Sequence, residues 1–331
     1  MSAVPNSTPA RPALHLDRAL RALPLFMPYV YALGFIIAIL ALQPALISGH
    51  DMIDGRASLI VPLALIAYGQ TFVVITRGID LSVGGLVSLC SALLCTHLNA
   101  DGPVLILEVI AILGVGALLG LINGVLVAYM RLEPFLVTLA TWTIAAGLAF
   151  AVLPIEGGAP APSLITALTG DLFGVPKSVL AIVVLFAAWA WLRRTMFVVD
   201  LMAIGSDERR ARLAGVRVSV RKVQAYLWTG MLAAAAAIWM TAQTATGSPR
   251  IGDDFILASI VAVVLGGTSI FGGLGSAASS VAGAIAFMLI PTLVFALNLA
   301  SFWSICLQGL VLMLAVIANA LVQGAGTWRR A

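Results

Sequence analysis

Residues 59–98 read LIVPLALIAYGQTFVVITRGIDLSVGGLVSLCSALLCTHL. A short polar segment separates two apolar runs, and each run approaches the length of about 20 residues that crosses a bilayer. Because lipid offers backbone N–H and C=O groups no hydrogen-bond partner, such runs fold as helices, whereas the strands of a membrane barrel alternate apolar and polar residues. The stretch therefore predicts two membrane-spanning helices joined by a tight turn.

The same pattern continues along the chain of 331 residues. The sequence is 61% hydrophobic and 10% charged, whereas about 25% of the residues of a soluble domain are charged. We therefore predict an all-α polytopic membrane protein with about ten transmembrane helices. The predicted spans are residues 24–47, 57–76, 81–99, 104–129, 135–153, 178–194, 223–243, 255–271, 276–297 and 302–323.

The basic residues give the orientation. With the N-terminus inside, the cytoplasmic side holds 15 of the 18 Lys and Arg residues, namely Arg11, Arg18, Arg21, Arg77, Arg131, Arg193, Arg194, Arg209, Arg210, Arg212, Arg217, Arg221, Lys222, Arg329 and Arg330. Cytoplasmic loops of membrane proteins carry such an excess, so both termini are predicted inside and no nucleic-acid partner is inferred from the charge. We expect a multi-pass protein of the bacterial inner membrane.

This topology divides the chain into three parts. Residues 1–23 form a predicted cytoplasmic tail, residues 24–323 the transmembrane permease domain, and residues 324–331 a second cytoplasmic tail. The permease domain includes a long cytoplasmic loop at 195–222. An outer loop at 154–177 is rich in Pro and Gly and is expected to lie on the membrane face.

The polar segment TRGIDLSVGG (76–85) contains the residues expected of a turn followed by the start of a new helix. Gly78 permits the turn, and Asp80 followed by Ser82 can cap the free N–H groups of the next helix. Arg77 and Asp80 are expected to pair, because charges this close to a span need partners. Two interpretations stay open: a well-capped turn, or a broken helix pair that lines a gate.

The cytoplasmic loop contains AIGSDERRARLAGVRVSVRK (203–222), which predicts a short amphipathic helix between Gly205 and Gly215. Ser206 and Asp207 are expected to begin it. Such a helix could rest on anionic lipid headgroups or dock into a groove of a cytoplasmic partner. Its shortness and its two flanking glycines favour docking.

Polar residues within or near the spans could line a path for a neutral, hydroxylated solute, or bond across helix interfaces. They are Gln70, Thr71, Asn123, Thr138, Thr141, Trp142, Thr143, Gln243, Thr244, Gln308 and Asn319. Few charges lie mid-span, which argues against a proton relay or an ion-coupled carrier. The sequence also lacks a catalytic cluster, a metal-ligand spacing and a phosphate-binding loop, so we expect no enzyme activity, no metal site and an external energy source.

Several segments resemble, in order, the signatures of ribose/xylose/arabinose-type ABC importer permeases. These are GIDLSVGG (78–85), Asn123-Gly124, Pro134-Phe135 with LVTLAT (136–141), AIGSDERRARLAGVRV (203–218) and AVVLGGTSIFGGLGS (262–276). The resemblance implies a fold like that of type II importers, with about ten helices per subunit. Arg77 stands where this family usually has glycine. The second glycine-rich segment is similar to the first, either as part of an internal repeat or by chance.

The resemblance also implies partners and residue roles. Such a permease forms a homodimer or heterodimer and binds a separate ABC ATPase subunit, which holds ATP and Mg. It receives solute from a periplasmic solute-binding protein. The permease chain itself is expected to hold no cofactor. The implied ATPase-coupling residues are Gly205, Ser206, Glu208, Arg209, Arg212, Leu213 and Gly215. The residues expected at the translocation path or gate are Gln70, Arg77, Asp80, Ser82, Asn123, Thr138, Thr141, Trp142, Gly267 and Thr268.

The function expected from the sequence is the membrane subunit of an ATP-driven importer for a monosaccharide or related polyol. One alternative is a permease for another small solute, such as a branched-chain amino acid. The other is a self-contained ten-helix secondary transporter.

Overall fold

The computed structural model describes residues 12–47 and 49–328, which are almost entirely helical. The helices are α1 (Pro12–Leu42), α2 (His50–Ile75), α3 (Ser82–Thr96), α4 (Val104–Ala128), α5 (Pro134–Val152), α6 (Pro162–Leu168), α7 (Lys177–Leu192), α8 (Met196–Ser206), α9 (Glu208–Leu213), α10 (Val218–Thr244), α11 (Asp253–Leu265), α12 (Ala277–Ala296) and α13 (Phe302–Trp328). A 3-10 turn (Pro44–Leu46) follows α1, and β1 (Asp171–Leu172) pairs antiparallel with β2 (Val175–Pro176). The predicted all-α class is confirmed, with one small hairpin added.

Six helices of the described part are long and apolar enough to cross a membrane by themselves: α1, α2, α4, α5, α10 and α12. A seventh crossing results if α7 and α8, which meet at an angle of 77°, form one bent span. Each of the ten predicted spans coincides with a helix, but α3 and α11 are only about 22 Å and 20 Å long, short of the 30 Å apolar core of a bilayer. The polytopic architecture is confirmed, and within the part of the chain that the structure describes α3 and α11 are shorter than their predicted spans.

Both ends of the chain are more helical than the predicted tails. α1 already begins at Pro12, within the tail expected at 1–23, because PALHLDRALRAL (12–23) is rich in the strong helix formers Leu, Ala and Arg. α13 likewise runs past residue 323 to Trp328. Residues 1–11 and 329–331 of the predicted tails lie outside the described residues.

The centre of the bundle is formed by α2, α3, α10 and α12, whose side chains are mostly buried. α4 and α10 approach each other closely. A Cβ added at Gly116 would overlap the Gly230 carbonyl, and one at Gly230 would overlap the Gly116 carbonyl. Gly120 meets Tyr226 and Gly124 meets Val223 in the same way. Small residues spaced by four therefore bring the two backbones into direct contact, as in other membrane helix pairs.

The bundle has two distinct ends. At one end, which we call the hairpin end, α6 and β1–β2 occupy the predicted outer loop 154–177 and are fixed by polar contacts to neighbouring segments. Asp101 accepts a hydrogen bond from the Ser163 N–H (2.9 Å), and Ser178 donates to Asp54 (2.7 Å). At the opposite end, which we call the basic end, the α4–α5 turn, α8, α9 and the start of α10 meet around one cavity. Arg77, Arg131, Arg209, Arg212 and Lys222 all line it, in agreement with their predicted common side.

Candidate functional site

The α8–α9 segment (196–213) supplies the short helix predicted from the cytoplasmic loop. Asp207 is its cap: the Asp207 carboxylate accepts a hydrogen bond from the Arg210 N–H (3.0 Å) and starts α9. Ser206 does not begin this helix, because it is the last residue of α8 and its hydroxyl donates to the Met202 carbonyl (2.9 Å). The helix ends before Gly215, which has a φ of +86° that side-chain-bearing residues disfavour.

Charged contacts fix α9 to the start of α10. Glu208 accepts hydrogen bonds from Lys222 (2.7 Å) and from Arg212 (3.1 Å), and the Lys222 contact is the main cause that lowers the pKa of Glu208. The hydrogen bond from the Arg210 N–H likewise lowers the pKa of Asp207. Both carboxylates are therefore held in the ionised form that these contacts require.

The two faces of α9 have opposite surroundings. Ala211 is 4% exposed and packs with Ile204 and Val218. Leu213, by contrast, is 81% exposed, and Arg209 is exposed as well. One face thus anchors α9 to the bundle while the other presents an apolar side chain and positive charge to the surroundings.

The end of α8 is tied to two glycine-rich junctions, which we call the first junction (76–81, between α2 and α3) and the second junction (266–276, between α11 and α12). A Cβ at Gly205 would overlap the Ile75 carbonyl and the Gly273 nitrogen, so only glycine fits there. The Gly273 N–H in turn donates to the Ile75 carbonyl (2.9 Å). Backbone atoms from α2, α8 and the second junction therefore meet at one point.

Arg77 of the first junction also bonds to the end of α8 at this point. Its Nε donates to the Gly205 carbonyl (2.8 Å) and its guanidinium Nη2 donates to the Ser206 carbonyl (3.0 Å). The expected pairing of Arg77 with Asp80 is therefore wrong. The reason is that the last carbonyls of α8 lack helical partners and lie at the negative end of the helix dipole, which attracts a cation.

Asp80 belongs instead to a buried chain of polar groups that joins three helices. Its Oδ1 accepts hydrogen bonds from the Ser82 N–H (2.9 Å) and the Ser82 hydroxyl (2.5 Å), as the predicted cap requires. Asn123 of α4 donates to the Ser82 hydroxyl (2.8 Å). Gln70 of α2, in the amide orientation that satisfies both of its groups, donates to the Asp80 carbonyl (3.3 Å) and accepts from the Asp80 N–H (3.2 Å). Four residues predicted at the path or gate are thus brought together at the first junction.

The second junction has its own polar cluster. Gly267 adopts a φ of +73°, and Thr268 lies 3.4 Å from the Ser280 hydroxyl of α12. The Thr71 hydroxyl of α2 donates to Ser280 (2.8 Å). The predicted residues Gly267 and Thr268 are therefore linked to α2, as are those of the first junction, but through a separate set of hydrogen bonds.

The remaining predicted path residues lie on α5. Thr138 approaches the first junction through the Ile79 carbonyl (3.3 Å). The Thr141 hydroxyl bonds to carbonyls of its own helix, those of Val137 and Thr138 (both 3.1 Å). The Trp142 carbonyl lies against Gly85 of α3, and the buried indole N–H has no partner among the described residues. Thr138 thus contacts the first junction, Trp142 belongs to the α3–α5 contact, and the Thr141 hydroxyl is satisfied within α5.

The cavity at the basic end has a volume of about 780 Å³. Four residues named from the sequence line it: Arg77, Glu208, Arg209 and Arg212. Its other polar lining residues, which the sequence did not single out, are Thr76, Arg131, Glu133, Ser219, Lys222 and Tyr226. For the lining residues on the α4–α5 turn, the only signal in the sequence was the pair of charges in the segment YMRLEP (129–134). In the described part of the chain, no three His, Cys, Asp or Glu side chains are placed to hold a metal.

Comparison with known proteins identifies relatives over nearly the whole chain. The family model described as "Branched-chain amino acid transport system / permease component" matches residues 52–316. The ribose import permease protein RbsC of Bacillus subtilis (strain 168) is 33% identical over 92% of this chain and 95% of its own length. The fructose import permease protein FrcC of Rhizobium meliloti is 34% identical over 77% of this chain and 73% of its own.

A third relative has a different cargo in its name. The autoinducer 2 import system permease protein LsrC of Enterobacter sp. (strain 638) is 32% identical over 93% of this chain and 89% of its own length. No solved structure matches the chain. Relatives with similar identity thus differ in the solute for which they are named.

Proposed function

The chain belongs to the family of branched-chain amino acid transport system / permease components, and from this premise we propose that it is the membrane subunit of an ATP-driven importer for a monosaccharide or related polyol. It is a multi-pass protein of the bacterial inner membrane. The names of its relatives, which refer to ribose, fructose and autoinducer 2, support a small polyhydroxylated cargo. The family description itself keeps a branched-chain amino acid as the alternative cargo.

Energy is proposed to enter from a separate ABC ATPase through α9. The exposed Leu213 and Arg209 are suited to a docking surface, because the opposite face of α9 is already anchored at Ala211. By this proposal the ATPase holds ATP and Mg, and the coupling residues are Gly205, Ser206, Glu208, Arg209, Arg212, Leu213 and Gly215. Arg210 projects to solvent, with its side chain 87% exposed.

One observation carries the proposal: the end of α8 is hydrogen-bonded to the first glycine-rich junction and in close contact with the second. Arg77 ties the first junction to Gly205, and Gly273 of the second junction is bonded to the carbonyl of Ile75 beside it. Any displacement of α9 by a partner therefore acts on the ends of α2, α3, α11 and α12 together. A movement of this kind switches access to the path between two states, whose populations the partner shifts.

A self-contained secondary transporter is disfavoured by the buried charges. Among the described residues, Asp80 and Glu108 are the buried carboxylates. Asp80 lies at the first junction, and Glu108 accepts hydrogen bonds from the Ala100 N–H at the hairpin end (3.1 and 3.2 Å). These positions leave the middle of the bundle without the chain of titratable groups that a proton relay uses. We further propose a second permease subunit, identical or homologous, and a periplasmic solute-binding protein as partners.

The test is co-purification of the tagged chain with its ATPase, followed by solute uptake into proteoliposomes that also receive the binding protein. Leu213→Asp should abolish ATPase recovery while the chain still inserts into the membrane, because a carboxylate replaces an exposed apolar contact. Phe173→Asp is the matched control: Phe173 is 98% exposed at the hairpin end, so this variant should retain the ATPase. Full ATPase recovery with Leu213→Asp, or uptake by the chain without any ATPase, would contradict the proposal.

A further inference from the structure

The cavity at the basic end has the dimensions of a small-molecule site. Its volume of about 780 Å³ falls within the range of roughly 300–1,000 Å³ that ligand pockets occupy. Its walls come from separate elements: the end of α2, the α4–α5 turn, α9 and the start of α10. A ligand in this cavity would therefore contact parts of the chain that are distant in sequence.

The lining is strongly cationic. Five cations and two carboxylates face the cavity: Arg77, Arg131, Arg209, Arg212, Lys222, Glu133 and Glu208. Three of the cations already have partners, because Arg77 binds the carbonyls of α8 while Arg212 and Lys222 share Glu208. Arg131 and Arg209 form no ion pair with any residue that the structure describes. The cavity thus holds two guanidinium groups available to an anion.

The side chain of Tyr226 forms part of the cavity wall. Tyr226 is 1% exposed and lines the cavity, yet its phenolic oxygen has no hydrogen-bond partner among the described residues. The hydroxyl lies against the first junction, since a Cβ added at Gly78 would be only 2.6 Å from it. The oxygen itself is closed off from the cavity, so Tyr226 contributes part of the wall and no hydrogen bond to a ligand.

We propose that this cavity binds a soluble phosphate monoester from the cytoplasm. Arginine guanidinium groups bind phosphate oxygens in bidentate fashion, and the two unpaired ones lie on different walls, Arg131 on the α4–α5 turn and Arg209 on α9. The volume exceeds that of inorganic phosphate, so the cavity has room for the organic part of the ester beside the phosphate group. This inference concerns an additional ligand and does not depend on which solute the permease carries.

Binding would have a mechanical consequence. An anion shared by Arg131 and Arg209 links α9 to the body of the bundle, in addition to the existing contact between Glu208 and Lys222. The ligand therefore restrains the same helix that the proposed ATPase must displace. A cytoplasmic phosphate monoester is in this way expected to slow transport without occupying the path.

The experiment uses the full chain in nanodiscs of neutral phosphatidylcholine, with ribose 5-phosphate as the probe and tryptophan fluorescence as the readout. Ribose 5-phosphate should bind saturably, and Arg131→Gln with Arg209→Gln should weaken it by at least about tenfold, as expected for the loss of charge-assisted bonds. The matched control, Arg193→Gln with Arg210→Gln, removes two exposed cations that do not line the cavity and should leave affinity unchanged.

The competing ligands are tested in the same preparation. Inorganic phosphate should bind more weakly than ribose 5-phosphate, and ribose should not compete. The proposal is overturned if no saturable binding occurs, if the control variant loses as much affinity, or if inorganic phosphate binds equally well. It is also overturned if phosphatidylglycerol in the nanodisc reproduces the effect while ribose 5-phosphate does not, because the site would then recognise a lipid headgroup.

Discussion

Replacing Arg77 with glutamine is expected to loosen the α8–α9 segment while the rest of the bundle stays folded. The substitution removes both hydrogen bonds from the guanidinium group to the Gly205 and Ser206 carbonyls (2.8 and 3.0 Å). It leaves the contact of Gly205 with Ile75 in place, because that contact involves only backbone atoms. The loss is therefore confined to the connection between α8 and the first junction.

The magnitude follows from the burial of the two bonds. A hydrogen bond to a charged group contributes about 1.5–3 kcal/mol, and the bond to Gly205 is partly buried whereas the one to Ser206 is exposed and screened by solvent. Counting the first bond alone, local opening of the segment should become about 10 to 150 times more frequent. Arg77→Gly removes the same bonds but also relieves the φ of +67° at this position, which costs about 1 kcal/mol for a residue with a side chain.

The assay is hydrogen exchange of the purified chain, followed by mass spectrometry on peptides that cover residues 203–214. Both Arg77 variants should exchange faster there by the same factor, and Arg77→Gly should unfold at the higher temperature of the two. Arg210→Gln is the control: it breaks only the exposed ion pair with Asp207 and should change exchange by less than about threefold. If Arg77→Gln accelerates exchange no more than this control does, the assigned role of Arg77 is refuted.

Three other outcomes follow from the same contacts. Gly116→Ala should lower the unfolding temperature, because its Cβ would overlap the Gly230 carbonyl. The control is Gly114→Ala on the same helix, whose Cβ meets no atom within 4 Å and which should be neutral or stabilising. Equal effects of the two substitutions would contradict the assigned α4–α10 contact. Asn123→Ala should cost about 1–3 kcal/mol in thermal unfolding by leaving the buried Ser82–Asp80 pair short of a donor, while Thr143→Ala, at an exposed hydroxyl, should stay within about 0.5 kcal/mol. Contacts with Lys222 and Arg212 lower the pKa of Glu208 from 4.5, so their stabilisation is present above that value and is lost as the pH falls through the lower folded-state pKa. Measured relative to the intrinsic exchange rate at each pH, the protection of α9 should therefore fall on acidification, and Glu208→Gln should reduce this dependence while the part that comes from Asp207 remains.

The sequence predicted the features that depend on local composition. Apolar runs predicted the helices, and the basic residues predicted a common end. Asp207 and Gly215 indicated where α9 begins and ends, whereas Gly205 and Ser206, which were expected to flank and begin this helix, belong to α8. It also indicated that the Asp80 carboxylate accepts a hydrogen bond from a free N–H group at the start of α3, that of Ser82, which needs only a separation of two residues; the Ser82 hydroxyl, also expected to cap the helix, donates to Asp80 instead. These properties are set by neighbours in the chain, so they are visible without the fold.

Contacts between distant segments could not be predicted in the same way. Arg77 and Asp80 are three residues apart and opposite in charge, which favours pairing on sequence grounds alone. Arg77 instead donates to the carbonyls of Gly205 and Ser206, and no residue near Arg77 in the sequence indicates these partners. The shortness of α11 was missed because its predicted span continued through residues 266–271, which lie in the largely buried, non-helical second junction. α3 ends at Thr96, three residues before the end of its predicted span.

The cavity could not be predicted from the sequence for the same reason. Tyr226 looks like an ordinary residue of an apolar helix, and Arg131 like one more cytoplasmic charge. Their common position depends on how α10 crosses α4, which is decided by glycines on both helices rather than by either residue. The path and coupling residues that were named from the resemblance therefore stay predictions as regards their roles, although their positions are now known.

The backbone contact between α4 and α10 has a consequence for biogenesis. During synthesis α4 (104–128) enters the membrane first, and the whole of residues 129–217 must follow before α10 (218–244) is available. Throughout that interval the groove formed by Gly116, Gly120 and Gly124 faces lipid tails, which fill a narrow concave surface poorly. Completion of the bundle therefore waits for a late helix, and a ribosome stalled before residue 218 would leave in the membrane a fragment that insertion-quality control can recognise by this open groove.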